Sequence, residues 1–365
     1  MNYIIFGGTF DPVHNGHLRI ASFAAKKFSA KVIFVPSKSP RWKEPLTDIS
    51  HRLNMLKLAL KKADFDYEIS DFEIKKNEDI NYSIDTVKYF KDLFPKDNLY
   101  FLIGMDQVNQ FDKWKDAVEI SKLATIIYSH RPGFELNQDN IANFNMLALD
   151  YLESGEVSSS DIRELKSLDL NEDVLHYIED NKLYFVGKIA KYVTDKRLSH
   201  SIQVARLAYK VAKVNKLEDP ARYYIAAILH DVGKTSKCDN ENAVEFMKEH
   251  YPEYVDLPKF AYHQFIGEYI AKKDFNIKDE EILEAIKFHC TGNSNMSKIG
   301  MVVYASDKIE PTREFDSTWL INSCLNNWYQ GFIDTLVDNK KYLLGHAKDI
   351  TNKLTDACFK QYLGE

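Results

Sequence analysis

The sequence predicts an α/β doubly wound parallel sheet followed by an all-α domain, and three observations carry that reading. Short apolar runs alternate with helical periodicity through the first half; a glycine-rich turn follows the first of these runs; and beyond about Phe185 only helical periodicity remains. Alternation of this kind places helices on both faces of a parallel sheet. A chain of 365 residues exceeds a usual single core, so two domains are expected, 1–186 and 187–365. No Pro/Gly-rich linker marks the join, which implies a short connection near Phe185 to Ile189.

The continuous apolar run Tyr3 to Phe6 has the pattern of a strand buried on both faces, and Lys31 to Val35, Tyr67 to Ile74, Leu99 to Ile103 and Thr125 to Tyr128 repeat it. Between them, helical spacing of apolar residues covers His17 to Phe28, His51 to Lys62, Ser83 to Leu93 and Trp114 to Leu123. Ser159 to Lys166 reads as a further helix, opened by hydroxyl residues that suit either a cap or a phosphate. In the second half the helices expected are Ser201 to Val214, Pro220 to Leu229, Phe265 to Lys272, Glu280 to Phe288 and Lys298 to Ser306. Ser317 to Glu365 keeps helical spacing without recognisable chemistry.

Hydrophobic residues at 45% and charged residues at 28% describe a globular chain, neither disordered nor membrane-embedded. No apolar run approaches a membrane span and no signal peptide precedes the first strand, so a cytoplasmic location without a membrane partner is expected. Cys238, Cys290, Cys324 and Cys358 form no Cys-x-x-Cys pair and read as buried or neutral thiols. A net charge of −6 argues against nucleic acid as a partner, since backbone binding needs concentrated Lys and Arg. A small anionic nucleotide needs only a local basic pocket.

Gly7-Gly8-Thr9-Phe10-Asp11-Pro12-Val13-His14-Asn15-Gly16-His17 occupies the turn from the first strand to the first helix. Its glycines let the backbone approach a polyphosphate, and the helix beginning near His17 points its unpaired amides and positive dipole end at the same anion. His14 and His17 can then donate hydrogen bonds to phosphate oxygens. Ligands of such sheets bind at the carboxyl ends of strands, where this turn and Gly104-Met105-Asp106 both fall. Arg163 lies one turn into the helix opened by Ser159 and Ser160, and its forked guanidinium suits phosphate oxygens.

The run resembles the HxGH nucleotidyltransferases, and its flanks narrow the resemblance to the bacterial nicotinate-mononucleotide adenylyltransferase family. Val35-Pro36-Ser37 through Pro40 and Lys43 is similar to that family's Val-Pro-Ser-x-x-Pro-x-His-Lys, with Trp42 where a histidine is usual. Tyr82-Ser83-Ile84-Asp85-Thr86, Phe101 to Asp106, Trp114 and His130-Arg131-Pro132-Gly133 follow in the family's order, and Val157 to Arg163 resembles its second phosphate motif. The resemblance closes at Tyr177 to Tyr184 and covers about half of the chain. It implies a Rossmann-like domain that joins ATP, carried with Mg2+, to nicotinate mononucleotide, giving nicotinate adenine dinucleotide and pyrophosphate. ATP would be held by Gly8, Thr9, Phe10, His14, His17, Lys43, Gly104, Asp106, Ser159, Ser160 and Arg163, with His14 and His17 catalytic. Thr86 and Trp114 would face the pyridine nucleotide, the amide form of which is the alternative substrate.

In the helical half the metal-capable residues are His200, His230-Asp231, His263, His289 and Asp307, most of them near the end of an apolar run. Imidazole nitrogens and carboxylate oxygens converging in a helical bundle suit iron, manganese or zinc, and an aspartate can bridge two ions. Their order resembles the HD-domain metal-dependent phosphohydrolases of the YqeK-like subgroup. Arg197 to Ser201, Ala226 to Lys234, His289-Cys290-Thr291-Gly292 with Met296-Ser297, and Ala305 to Arg313 carry the likeness; His263-Gln264 departs from the usual His-Gly. The resemblance implies symmetrical hydrolysis of diadenosine tetraphosphate, or of other dinucleoside polyphosphates, at dinuclear iron or manganese. Asp231 would bridge the ions; His200, His230 and Asp307 would complete one shell, and His263 and His289 the other. Asp231 and Lys234 would be catalytic, and Lys234 and Arg313 would hold substrate phosphates. The alternatives are a nucleotidase of other specificity and a nucleotide-sensing regulatory module.

Overall fold

The computed structural model describes residues 1–38, 47–76, 81–130, 135–152, 157–234, 241–313, 315–345 and 352–364. Lys43, Trp42 and Cys238 lie outside the described residues. The chain forms two compact units, Met1–Arg163 with Ser167–Asn181, and Glu164–Lys166 with Lys182–Glu365. The helix Tyr184–Ile189 belongs to the second unit, so the 186/187 join expected from sequence falls inside it.

In the first unit, six strands among the described residues are all paired in parallel: β1 (Asn2–Gly8), β2 (Lys31–Pro36), β3 (Tyr67–Ile69), β4 (Asn98–Ile103), β5 (Thr125–His130) and β6 (Leu147–Leu152). Their order is β3-β2-β1-β4-β5-β6. Chain progression therefore reverses between β1 and β4, the place where such sheets open a crevice at the strands' carboxyl ends. Ile4 and Ile5 of β1, Ile33 of β2 and Ile126 of β5 are fully buried, which explains why the central strands read as continuous apolar runs.

Two strand expectations change. The run Tyr67 to Ile74 is a strand only as far as Ile69, and the helix Phe72–Lys75 follows. Ser70 Oγ accepts the Phe72 amide at 3.2 Å and turns the chain out of the sheet at its edge. The opposite edge, β6, escapes sequence reading because Asp150 breaks its apolar pattern. The helix expected from Trp114 begins at Ala117 instead, since Trp114 is extended (φ −73°, ψ 146°).

The second unit is helical throughout its described residues. The helix expected from Ser201 starts earlier, as Asp195–Val214, with Thr194 accepting the Arg197 amide at its N-cap. Pro220–Leu229, Tyr262–Lys273, Glu280–Phe288 and Lys298–Ile309 follow it along the chain, and Thr318–Asn326, Trp328–Gly345 and Lys353–Leu363 account for the closing segment. Cys324 and Cys358 are buried, and burial pushes their thiols up to about 12 and about 11. Among the described residues no helix is long and apolar enough to cross a membrane.

Candidate functional site

A cavity of about 530 Å³ opens at the β1/β4 crevice. Gly8, Thr9, His14, His17, Gly104, Asp106, Trp114, Ser159 and Ser160 line it together, although they come from four separate stretches of chain. His14 is the N-cap of the helix Asn15–Phe28, and His17 is its third residue. The His14 amide donates to His17 Nδ1 at 3.2 Å. With Nδ1 accepting, a neutral His17 carries its proton on Nε2, so its second nitrogen is a donor. The two rings lie 3.7 Å apart, beside the amides of the helix start.

Several expected residues shape this surface from behind. Phe10 is buried and meets the His17 ring edge-on at 5.2 Å, while a Cβ at Gly8 would sit 3.1 Å from the Phe10 ring. Arg163 donates to the Asp11 carbonyl at 2.6 Å and to Ser160 Oγ at 2.8 Å, tying the second phosphate motif to the glycine-rich turn. Ser159 Oγ adds a bond to the Pro12 carbonyl at 2.9 Å. The cap of the helix Ser159–Arg163 is Ser158, which exchanges hydrogen bonds with Asp161. Gly104 lets the Asp106 carboxylate fold close over the backbone: a Cβ there would lie 2.7 Å from Asp106 Oδ1. Thr86 is buried and donates to Glu73 Oε1 at 2.7 Å.

Glu73 and Arg52 escaped sequence reading. Glu73 lines the cavity while nearly buried, and desolvation raises its carboxyl pKa against the hydroxyls of Thr86 and Ser37. Arg52 is 1% exposed and donates to the carbonyls of Thr9 and Ser37, both at 2.7 Å, and of Thr47 at 3.1 Å. It locks the loops that follow β1 and β2. The available signal was its position on the apolar face of its helix, in line with the buried Met55, Leu56 and Ala59.

In the second unit all six expected ligands converge. Asp231 Oδ1 lies 3.5 Å from His263 Nε2 and 3.4 Å from His289 Nε2; its Oδ2 lies 3.5 Å from His230 Nε2 and 3.9 Å from His200 Nε2. Asp307 Oδ1 lies 3.1 Å from His200 Nε2 and 3.6 Å from His230 Nε2. The opposite nitrogens are committed elsewhere. His230, His263 and His289 each donate Nδ1–H to a carbonyl three residues back, of Ala227, Phe260 and Ile286, and His200 Nδ1 meets Glu310 Oε1. That arrangement fixes the tautomer and turns the Nε2 lone pairs inward, as metal-ligating histidines require.

The donor set fits a cation. His230 Nε2 and Asp231 Oδ1 are buried without a hydrogen-bond partner. Burial disfavours the His230 imidazolium, yet Asp231 and Asp307 outweigh it and raise its pKa to about 9. Burial likewise pushes Asp231 upward, but His230, His289 and Lys234 hold it well below the usual carboxylate range. The centre thus demands positive charge in a space lined by nitrogen and oxygen donors. Lys234 Nζ lies 3.4 Å from Asp231 Oδ1 and Arg313 Nη2 lies 2.9 Å from Asp307 Oδ1. Arg197 and Lys308, not singled out by sequence, reach Asp231 Oδ2 and Asp307 Oδ2, each at 2.8 Å.

Comparison with known proteins separates the same two halves. A family model described as cytidylyltransferase-like matches residues 5–165, and one described as HD domain matches residues 197–312. A Mycoplasma genitalium protein named "Probable nicotinate-nucleotide adenylyltransferase/Ap4A hydrolase" is 35% identical over 360 residues, covering 95% of this chain and 99% of its own. The chain belongs to this two-domain family. A Mycoplasma pneumoniae relative of the same name is 31% identical over 315 residues, covering 85% of this chain and 89% of its own. A Clostridium tetani protein named "Probable nicotinate-nucleotide adenylyltransferase" is 35% identical over 199 residues, covering 52% of this chain and 97% of its own.

Gln264, which departs from the His-Gly of the HD-domain resemblance, is structurally satisfied. The side chain is fully buried; its Nε2 donates to Thr291 Oγ1 at 3.1 Å, and its Oε1 accepts the amides of Cys290 at 3.2 Å and Thr291 at 3.3 Å. It therefore pins the segment that follows His289 to the helix that carries His263. The close approach of Gly233, whose Cβ would fall 2.1 Å from the His263 carbonyl, brings the His230-Asp231 turn against the same helix.

Proposed function

We propose that the first unit transfers an adenylyl group from ATP to nicotinate mononucleotide and that the second hydrolyses diadenosine tetraphosphate to two ADP. The reading is supported by the names of the two Mycoplasma relatives and by a donor at His17 Nε2 beside a helix N-terminus. In the first reaction an oxygen of the mononucleotide phosphate attacks the α-phosphorus of Mg2+-ATP, and the bond to pyrophosphate breaks. No protein nucleophile is needed, so catalysis is positioning and charge stabilisation. His14 and His17 hold the ATP phosphates, Lys43 stabilises the departing pyrophosphate, and Arg163 positions the glycine-rich turn through its bonds to the Asp11 carbonyl and Ser160 Oγ. Asp106 fixes the adenylyl nucleotide, Trp114 faces the pyridine ring, and Thr86 acts through its bond to Glu73.

In the second unit we assign two ions, iron or manganese, to the cluster. Asp231 would be shared between them; His200, His230 and Asp307 would hold one, and His263 and His289 the other. Such ions supply polarisation of a phosphoryl oxygen and a lowered pKa for water. Lys234 and Arg313 hold substrate phosphates beside the carboxylates they touch. The observation that carries this reading is the inward aim of four Nε2 atoms on two carboxylates. Assaying the purified protein with nicotinate mononucleotide plus ATP, and with diadenosine tetraphosphate, each with and without added iron or manganese, tests both halves. Failure of either reaction under all metal conditions removes that half of the assignment.

A further inference from the structure

The second unit contains a cavity of about 1210 Å³ whose wall includes His200, one of the six clustered residues. Arg197, Lys308 and Arg313 line it, and each reaches a central carboxylate. Lys196 and Lys341 add two more cations to its wall. A row of cations beside a hydrolytic centre suits a chain of phosphates.

Phosphates alone do not account for the rest of the lining. Phe315 and Tyr342 are 48% and 51% exposed, and both face this cavity. A ring face gains nothing from a phosphate but stacks well on a flat aromatic group. In the same lining, Asn339 donates its amide to the Tyr304 hydroxyl at 2.9 Å, which leaves its carbonyl oxygen as an acceptor next to Asp338 in the chain. Acceptors are what the N–H edge of a nucleobase requires. The lining thus combines cations with two exposed rings and an amide acceptor.

We infer that this cavity binds a nucleoside polyphosphate, with the base on Phe315 and Tyr342 and the phosphates along Arg197, Lys308 and Arg313. The inference rests on the hydrolase reading and adds to it the side chains that recognise the nucleoside. It also separates nucleotide substrates from inorganic polyphosphate, which has no use for the aromatic wall.

The test titrates the manganese-loaded full chain with ADP and with inorganic tripolyphosphate, in the wild type and in Phe315→Ala, Tyr342→Ala and Phe315→Trp. ADP taken up by the first unit is common to all four proteins and cancels in the comparison. Each alanine change weakens ADP binding to the second unit by about tenfold, the scale of one lost base–aromatic stack, and leaves tripolyphosphate binding unaltered. Phe315→Trp retains ADP affinity. Unaltered ADP affinity in both alanine variants, or equal losses for ADP and tripolyphosphate, overturns the assignment. Hydrolysis of diadenosine tetraphosphate by the wild type is measured in parallel. Turnover together with unaltered ADP binding in the variants sinks the aromatic platform alone; ADP binding that depends on the rings without turnover sinks the hydrolase reading and leaves the platform standing.

Discussion

His263 Nε2 and His289 Nε2 lie 3.1 Å apart while the Nδ1 hydrogens of both rings are given to backbone carbonyls. Two lone pairs therefore face each other inside the protein. Burial lowers the pKa of both rings, so neither readily takes the proton that would relieve the contact. A bound cation resolves the repulsion, and Asp231 Oδ1 stands within 3.5 Å of each nitrogen to share it.

Chelation is accordingly expected to lower the melting temperature of the second unit. Returning manganese or iron to the chelated protein raises it again, by about 2.7 kcal/mol of stability once free metal reaches a hundredfold its dissociation constant. Differential scanning calorimetry with and without chelator makes the measurement. A midpoint indifferent to both chelator and metal would contradict the assigned centre.

His17→Ala removes a donor aimed at the ATP phosphates and leaves the second unit's ligands in place. Adenylyl transfer should fall by roughly a hundredfold or more, the scale of losing one transition-state donor. Diadenosine tetraphosphate hydrolysis should persist. Comparable losses of both activities in parallel assays would show that the two reactions do not reside in separate sites.

The convergence of the six histidines and aspartates was legible in sequence because such residues at helix ends are costly to bury unless they meet, and their order constrains how they do so. The glycine-rich turn was legible because Gly7 and Gly8 had a steric reason and His14 and His17 a hydrogen-bonding one. Glu73 was hidden by lying in the short helix Phe72–Lys75, within a run that reads as strand, where nothing local marks its carboxylate as buried. Arg197 and Lys308 were hidden for a different reason. A surface cation on a helix and one that bends back onto a central carboxylate have the same local pattern, and only tertiary packing distinguishes them.

Asp279 offers a test of how the helix that ends in His289 is held. It caps Glu280–Phe288 by accepting the amides of Glu281 and Ile282, and Arg222 grips it through two bonds of 2.6 and 2.7 Å. The Arg222 guanidinium, with the capped amides, holds its carboxyl below the ordinary 3.8. A depressed folded-state pKa means that the contribution is complete above the unfolded value and disappears as pH falls through the folded one. Asp279→Ala should therefore cost about 1 kcal/mol at neutral pH. Denaturant titrations of both proteins should converge on acidification below about pH 4, where the unfolded carboxyl protonates; a gap that stays constant into strong acid would show that charge plays no part in the cap.

The two aspartates of the metal cluster are not equivalent. Asp231 presents one oxygen to His263 and His289 and the other to His230 and His200, whereas Asp307 turns one oxygen to His200 and His230 and the other to Lys308. Losing Asp231 removes the carboxylate common to both proposed ions. Asp231→Ala should abolish hydrolysis and strip most of the bound metal, while Asp307→Ala should abolish hydrolysis but retain more metal, held by Asp231 with His263 and His289. Both variants should keep adenylyl transfer. Elemental analysis after gel filtration, beside the two activity assays, decides the matter: equal metal loss in the two variants would argue against a bridging Asp231, and full metal content in Asp231→Ala would remove it from the centre altogether.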